Sequence, residues 1–259
     1  MIATNGDATI AWEEIGTGAP MLLIHGLGYA RWGWEPLLPL LAERYRVISF
    51  DNRGIGESSV PPGPYTAALM AGDARAVLDA AGVERAHVVG TSLGGMIAQV
   101  LALANPDRID RLVLICTTPG ATCGHPMPAV TVRLLAEAAA LPPEVAVRRF
   151  VENALGSEPD PGLVERILSH RLAAPQDSAG WAAQAAAGTT YDGAGRAAFI
   201  TVPTLLIAGT ADRVVDYRNS VVLAELIPNS VLRLVPDSGH LVFWERPRTV
   251  AGLIVEHCT

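Results

Sequence analysis

The chain has 259 residues, half of them apolar, which is enough to build one α/β domain around a large core. Its net charge is −7, and 19 scattered basic residues are outnumbered by 26 acidic residues, so the composition argues against a nucleic-acid partner. The three cysteines, Cys116, Cys123 and Cys258, lack paired spacing and predict neither a disulfide framework nor a zinc site.

The sequence gives no indication of export or of membrane insertion. Residues 1–7 lack the basic start and apolar run of a secretory signal. No apolar run approaches the ~18 residues that cross a bilayer. We therefore expect a cytoplasmic protein with no membrane partner, and no pattern indicates its oligomeric state.

Short apolar runs alternate with longer helical stretches, which is typical of a mostly parallel, twisted sheet with helices on both faces. The predicted strands are residues 9–14, 21–25, 46–51, 87–91, 111–116, 204–208 and 231–235. The predicted helices between them are residues 34–43, 65–81, 93–104, 220–226 and 249–257. Pro106 and Pro228 follow two of these helices, as helix stop signals do.

The alternation is interrupted between residues 119 and 200, where no run resembles a strand. Residues 130–140, 144–155 and 163–172 have the spacing of amphipathic helices instead. We interpret 119–200 as a helical cap inserted into an α/β core of residues 1–118 and 201–259. Because ligands of open α/β sheets bind at the carboxyl edge, the cap is expected to determine specificity.

The most informative motif is Gly90-Thr91-Ser92-Leu93-Gly94, which joins a predicted strand to a predicted helix. A G-x-S-x-G turn in this context presents its serine as a nucleophile, and the flanking glycines make room for the strained backbone. The Leu93 N–H begins the helix and is predicted to donate to an oxyanion forming beside Ser92.

A serine hydroxyl needs a base, and the base needs a carboxylate that orients it. His240 comes just after the last predicted strand, where the chain turns over the carboxyl edge of the sheet. Asp212 follows the apolar strand 204–208 in the same way, while Asp216 is a rival more typical of a helix cap. The predicted triad is therefore Ser92, Asp212 and His240, with none of the other histidines as base.

A second oxyanion donor is expected from the turn His25-Gly26-Leu27-Gly28, which follows the strand 21–25. Its glycines permit a bend that aims the Leu27 N–H at Ser92. We expect the His25 imidazole to brace this loop. Cys116, at the end of an apolar run, is expected to pack as a small buried residue without a catalytic role.

Five ordered motifs identify the chain as a member of the α/β-hydrolase superfamily. They are the turn 25–28 with Trp34, the segment 51–58, the glycine-rich segment 90–95, the segment 209–212, and Gly239-His240 leading to Glu245-Arg246-Pro247. The chain is most similar to small capped members such as 3-oxoadipate enol-lactonase-like proteins, acyl-homoserine lactonases, carboxylesterases and cofactor-free haloperoxidases. This resemblance implies that Asp51 and Arg53 shape a loop under the site. Because Ser92 stands at the nucleophile position, the resemblance excludes haloalkane dehalogenase and epoxide hydrolase chemistry.

Three tryptophans lie near the implied site. We expect Trp34 in the core, whereas Trp32 and Trp181 are candidates for the substrate pocket wall.

The expected activity is hydrolysis of a small carboxylic ester or lactone through an acyl-enzyme, with no metal and no organic cofactor. A lactone-specific hydrolase is the first alternative, with an acyl-homoserine lactone or an enol-lactone as substrate. The other two alternatives are carbon–carbon bond hydrolysis on the same triad and a non-catalytic small-ligand receptor. Peroxyacid formation would be a side reaction if peroxide replaced water at the acyl-enzyme.

Overall fold

The computed structural model describes residues 1–138 and 140–259. Their strands form one sheet in the order β1-β2-β4-β3-β5-β6-β7-β8. The strands are β1 (Ile2–Asn5), β2 (Ala8–Ile15), β3 (Ala19–Ile24), β4 (Tyr45–Phe50), β5 (Ala86–Thr91), β6 (Ile109–Ile115), β7 (Thr204–Gly209) and β8 (Ser230–Val235). Only the pairs β1·β2 and β2·β4 are antiparallel among these strands, so the expected mostly parallel sheet is confirmed.

Helices cover both faces of the sheet, as the alternating pattern predicts. They are α1 (Leu38–Leu41), α2 (Ala67–Ala80), α3 (Leu93–Ala104), α4 (Ala129–Ala138), α5 (Pro143–Ala154), α6 (Pro161–Ala173), α7 (Ser178–Thr189), α8 (Arg218–Leu226), α9 (Val242–Glu245) and α10 (Pro247–Cys258). Side chains alternate across a strand, so successive residues of β3 pack into two different hydrophobic cores, one on each face of the sheet. Leu22 and Ile24 pack with α2 and α3, whereas Met21 and Leu23 pack with α1 and α10.

The predicted elements differ from the structure at three places, and each has a local reason. Strand β1 has only four residues and pairs at the sheet edge, so it is too short for a periodic pattern to predict it. The predicted helix 34–43 is instead a 3₁₀ turn at Arg31–Trp34 followed by the short α1, since Pro36 and Pro39 interrupt it. Helix α7 is rich in alanine and has no clear apolar stripe. The predicted helix 130–140 includes residue 139, which lies outside the described residues.

Four helices, α4 to α7, occupy the chain between β6 and β7. Ile167 and Leu168 of α6 are buried in the core that holds Trp34. Helix α7 contacts the loop after β4 so closely that a Cβ on Gly180 would lie 2.2 Å from the Gly54 carbonyl oxygen. The insertion is thus anchored to the sheet's carboxyl edge, and its role as a cap stays a prediction.

None of the helices in residues 1–138 and 140–259 combines the length and apolarity that a bilayer crossing requires.

A buried ion pair fixes the same loop to α2. The Arg53 guanidinium donates two hydrogen bonds of 2.6 Å to the Asp73 carboxylate, whose side chain is fully buried, and Asn5 Nδ2 adds a third at 2.8 Å. This pair bears out the implied structural role of Arg53. It ties the sheet edge, the loop and the helix together.

Replacing Asp73 with asparagine should lower the free energy of unfolding by about 3 kcal/mol, because the buried Arg53 loses its doubly bonded carboxylate and keeps only the exposed Asp7 carboxylate at 3.7 Å. Urea denaturation measures the loss. Asp79→Asn is a matched control on the same helix, since Asp79 pairs with Arg108 at the surface. It should lose less than about 1 kcal/mol. Equal losses of unfolding free energy in the two variants would show that the buried pair of Arg53 and Asp73 stabilises the fold no more than a surface pair does.

Candidate active site

Ser92 occupies a strained turn between β5 and α3. Its backbone has φ 55° and ψ −120°, a combination that non-glycine residues rarely adopt. The Ser92 N–H donates to the Ile115 carbonyl at 2.9 Å, and the Thr117 hydroxyl donates to the Ser92 carbonyl at 2.8 Å. These bonds hold the turn in place. A Cβ on Gly94 would lie 2.0 Å from the Ile24 carbonyl oxygen, so only glycine fits there.

The loop after β3 packs directly against the serine. A Cβ on Gly26 would lie 2.9 Å from Ser92 Cβ and 3.4 Å from Ser92 Oγ. Within the part of the chain that the structure describes, neither the Leu27 nor the Leu93 amide donates a hydrogen bond to a protein acceptor. Both amides are therefore free to serve an oxyanion, and that role stays a prediction.

His240 and Asp212, far apart in sequence, form a buried hydrogen bond of 2.8 Å between Nδ1 and Oδ2. The other Asp212 oxygen accepts from the amides of Val214 and Val215 at 2.8 and 2.9 Å. Both carboxylate oxygens thus have donors, which fixes the carboxylate and orients the imidazole. The rival Asp216 instead binds the amide and guanidinium of Arg218 at the start of α8.

The sheet brings these residues to one edge. Strands β5, β6 and β7 are neighbours, and Thr91 is in register with Ile115, so Ser92 and Cys116 leave adjacent strand ends. The Cys116 sulfur in turn lies within 4.8 Å of the ligand atoms of Asp212 and His240. Cys116, Asp212 and His240 therefore converge at the carboxyl edge of the sheet, and Cys116 leaves the strand next to the one that Ser92 follows.

Cys116 is closer to this site than sequence analysis suggested. It is buried, as expected, but it contacts the Asp212 carboxylate and its backbone has φ 46°. Burial, reinforced by the negative charge of Asp212, raises the pKa of the Cys116 thiol well above its usual range. The sulfur is therefore protonated at neutral pH and is not a competing nucleophile. Cys116, Asp212 and His240 are also the one set of described residues with a metal-ligand arrangement.

Glu245 holds the loop that carries His240. Its two carboxylate oxygens accept from the amide of Gly239 at 2.7 Å and from the amide of Gly156 at 2.9 Å. The first bond fixes the residue before His240, and the second fixes the segment after α5. Sequence analysis recorded Glu245 within a family motif but gave it no role, since its two partners lie six and 89 positions away.

His25 is a neutral buried residue that braces the loop, as expected. The Gly26 amide donates to its Nδ1 at 2.7 Å, and its ring stacks on Tyr29 at a centroid distance of 4.8 Å. Burial is the largest influence on the imidazole and lowers the pKa of His25 to about 3. Between about pH 3 and pH 6.5, His25 is therefore unprotonated in the folded protein but protonated in the unfolded chain.

The pKa of His25 predicts a loss of stability in acid. Below pH 6.5, the ordinary histidine value, the unfolded chain binds a proton that the folded chain does not. The free energy of unfolding should fall by up to about 1.4 kcal/mol per pH unit from this residue, until its folded pKa is reached. His25→Gln should flatten the slope between pH 6 and about 4 by this amount, as measured by urea denaturation at each pH. Identical slopes would contradict the assignment.

The two pocket-wall candidates occupy different positions. Trp32 is half-buried and stacks on His170 of α6 at a centroid distance of 4.8 Å, and His170 Nε2 lies 2.6 Å from Glu35. Trp181 lies in the first turn of α7 and is 37% exposed. Trp34 is fully buried, so its expected place in the core is confirmed.

Comparison with known proteins places this geometry in a family. Residues 19–247 match the family described as alpha/beta hydrolase fold. A proposed carbamate hydrolase, RutD, from Azorhizobium caulinodans is 33% identical over 270 residues, covering 99% of this chain and 97% of that protein. A 2-hydroxy-6-oxononadienedioate/2-hydroxy-6-oxononatrienedioate hydrolase from Cupriavidus pinatubonensis is 31% identical and covers 94% of this chain and 88% of that protein.

A solved structure gives the same result. Est816, described as an N-acyl homoserine lactone degrading enzyme, superimposes with a TM-score of 0.82 at 29% identity, covering 99% of both chains. Sequence and structural comparisons therefore agree over nearly the whole length. The chain belongs to the alpha/beta hydrolase fold family.

Proposed function

We propose that this protein is a serine hydrolase that cleaves a small carboxylic ester or lactone through an acyl-enzyme. The observation that carries the proposal is the 2.8 Å hydrogen bond between His240 and Asp212, at the same sheet edge as the strained Ser92 turn. An imidazole held through Nδ1 by a buried carboxylate offers its Nε2 as a base.

In the proposed reaction, Ser92 Oγ attacks the carbonyl carbon and its proton passes to His240 Nε2. The amides of Leu27 and Leu93 stabilise the oxyanion of the tetrahedral intermediate. His240 then protonates the departing alcohol oxygen, which leaves the acyl group on Ser92. A water molecule attacks this ester while His240 takes its proton, and the acid is released as Ser92 regains a hydrogen.

We further propose that residues 119–200 act as a cap that selects the substrate. Their helices contact the loops after β3 and β4, and His170 of α6 stacks on Trp32. In this proposal, Trp32 and Trp181 form apolar walls of the substrate pocket.

Carbamate hydrolysis on the same three residues is a second candidate. It is favoured by the 33% identity to the proposed carbamate hydrolase RutD over 99% of the chain. A carbamate has an electrophilic carbonyl that Ser92 attacks in the same way, and it differs in the leaving group and in the acid released.

A fluorophosphonate probe tests the proposed nucleophile. We expect stoichiometric modification of Ser92, identified by peptide mass spectrometry, and loss of modification in Ser92→Ala and His240→Ala. A panel of p-nitrophenyl esters of rising chain length, beside lactones and an aryl carbamate, then ranks the substrate classes by kcat/KM. An unmodified Ser92 together with no turnover of any panel member would refute the proposed function and favour the small-ligand receptor.

A further inference from the structure

Arg171 places a positive charge against the proposed oxyanion loop. It lies on α6, is half-buried, and holds its guanidinium carbon 4.9 Å from the centre of the Tyr29 ring. A Cβ on Gly28 would lie 3.4 Å from Arg171 Nη2 and 3.5 Å from Nη1. Because Gly28 has no side chain, the N–H groups of the guanidinium are open toward the loop.

Several arginines of the chain have a carboxylate partner, whereas Arg171, like Arg111 and Arg213, has none among the described residues. Arg46, Arg53, Arg108 and Arg166 each pair with a carboxylate. In residues 1–138 and 140–259, by contrast, no aspartate or glutamate is within ion-pair distance of Arg171. The N–H pairs of the Arg171 guanidinium can therefore donate to an anionic ligand. A bound anion would complete the site.

The guanidinium is within reach of a substrate held at Ser92. The loop at Gly26 contacts Ser92, and Gly28 is only two residues further on, at most about 7 Å away. With the contact between Gly28 and Arg171 and the two Cα–Cβ bonds added, the guanidinium lies no more than about 17 Å from the serine side chain. An acyl chain of about four to six carbons that ends in a carboxylate, paired about 3 Å from the guanidinium, fits within this limit.

The sheet order indicates which side of the substrate faces Arg171. The loop 25–28 follows β3, on one side of β5 and Ser92, whereas Asp212 and His240 follow β7 and β8 on the other side. His240 must lie beside the leaving alcohol that it protonates. The part of the substrate away from His240, which includes the carbonyl oxygen and the acyl group, therefore faces β3 and its loop.

We propose that Arg171 binds a carboxylate at the far end of the acyl group, so that the enzyme prefers monoesters of short dicarboxylic acids to neutral esters of the same shape. The inference rests on the proposed function and names its substrate class. Arginine is suited to the role because its planar N–H pairs match both oxygens of a carboxylate. Such binding at a group remote from the reacting carbonyl acts mainly through KM.

The test compares p-nitrophenyl hydrogen glutarate and p-nitrophenyl hydrogen adipate with their methyl esters, which have nearly the same shape and no charge. We expect wild-type kcat/KM to favour the acids by about ten- to hundredfold, the range for a hydrogen bond to a charged group. Arg171→Met should reduce that preference to about onefold, and Arg171→Lys should leave an intermediate value because it keeps the charge but not the fork. Arg148→Met, a surface arginine of α5 paired with Glu165, is the matched control and should keep the wild-type preference.

Equal kcat/KM for acid and methyl ester in the wild type would overturn the proposal. An equal loss on both substrates in Arg171→Met would do the same, because it would indicate a purely structural arginine. Calorimetry of methyl hydrogen glutarate with the Ser92→Ala protein provides a readout without chemistry, and Arg171→Met in that background should weaken binding at least about tenfold. Undiminished binding would refute the carboxylate site. Failure to hydrolyse either ester, with Ser92 unmodified by fluorophosphonate, would refute the proposed function separately.

Discussion

Ser92→Ala is expected to lower kcat on the best ester of the panel by about 10⁶-fold, since the loss of a triad nucleophile removes the acyl-enzyme route altogether. Alanine keeps the Cβ, so the strained backbone at φ 55° is unchanged and the variant should fold like the wild type. Circular dichroism and thermal unfolding check the fold, and steady-state kinetics measure the loss.

Ser169→Ala supplies the control for this variant. Ser169 is an exposed residue of α6 whose hydroxyl bonds the Arg166 carbonyl, and it should retain wild-type kcat. A Ser92→Ala protein with kcat within tenfold of the wild type would show that Ser92 does not carry the acyl group.

Asp212→Asn should lower kcat by about 10⁴-fold. The asparagine amide has nearly the shape of the carboxylate, but its NH₂ group facing His240 Nδ1 would place the imidazole proton on Nε2, where the base must be free. The hydrogen bonds from Val214 and Val215 to the other oxygen should persist, so the loop keeps its position. The measurement is kcat across pH 6–9, with thermal unfolding as the check on folding.

Asp216→Asn is the matched comparison, because it makes the same chemical change four positions further on. Asp216 pairs with Arg218 at the start of α8, and its replacement should alter kcat by less than about threefold. If Asp216→Asn were the more damaging change, the carboxylate assignment would have to be reversed.

The apolar runs that predict the strands also predict the candidate site, because its residues follow those runs in the sequence. Strands β5 and β7 are short apolar runs buried on both faces, whereas β8 is a more exposed edge strand, and Ser92, Asp212 and His240 follow these three strands within five residues. The carboxyl ends of parallel strands meet at one edge of the sheet, so residues that follow such strands are expected to lie at that same edge. The hydrogen bond between His240 and Asp212 agrees with that expectation.

Contacts between a core loop and the inserted helices could not be predicted in this way. Strands β4, β5 and β6 lie between Gly28 and Arg171 in the chain, and no local pattern links an arginine on an amphipathic helix to a distant glycine. Glu245 presents the same difficulty, since its second partner is a backbone amide, which no side-chain pattern encodes. Helix α7 was missed because alanine favours a helix without marking which face is buried.

The left-handed backbone of Ser92 also limits how this protein can be stabilised. Holding a residue with a side chain in that conformation costs about 1–3 kcal/mol, and glycine would avoid most of it. A library selected only for heat resistance should therefore be enriched in glycine at position 92. Its most thermostable members would be inert, so such a selection needs an activity screen at every round.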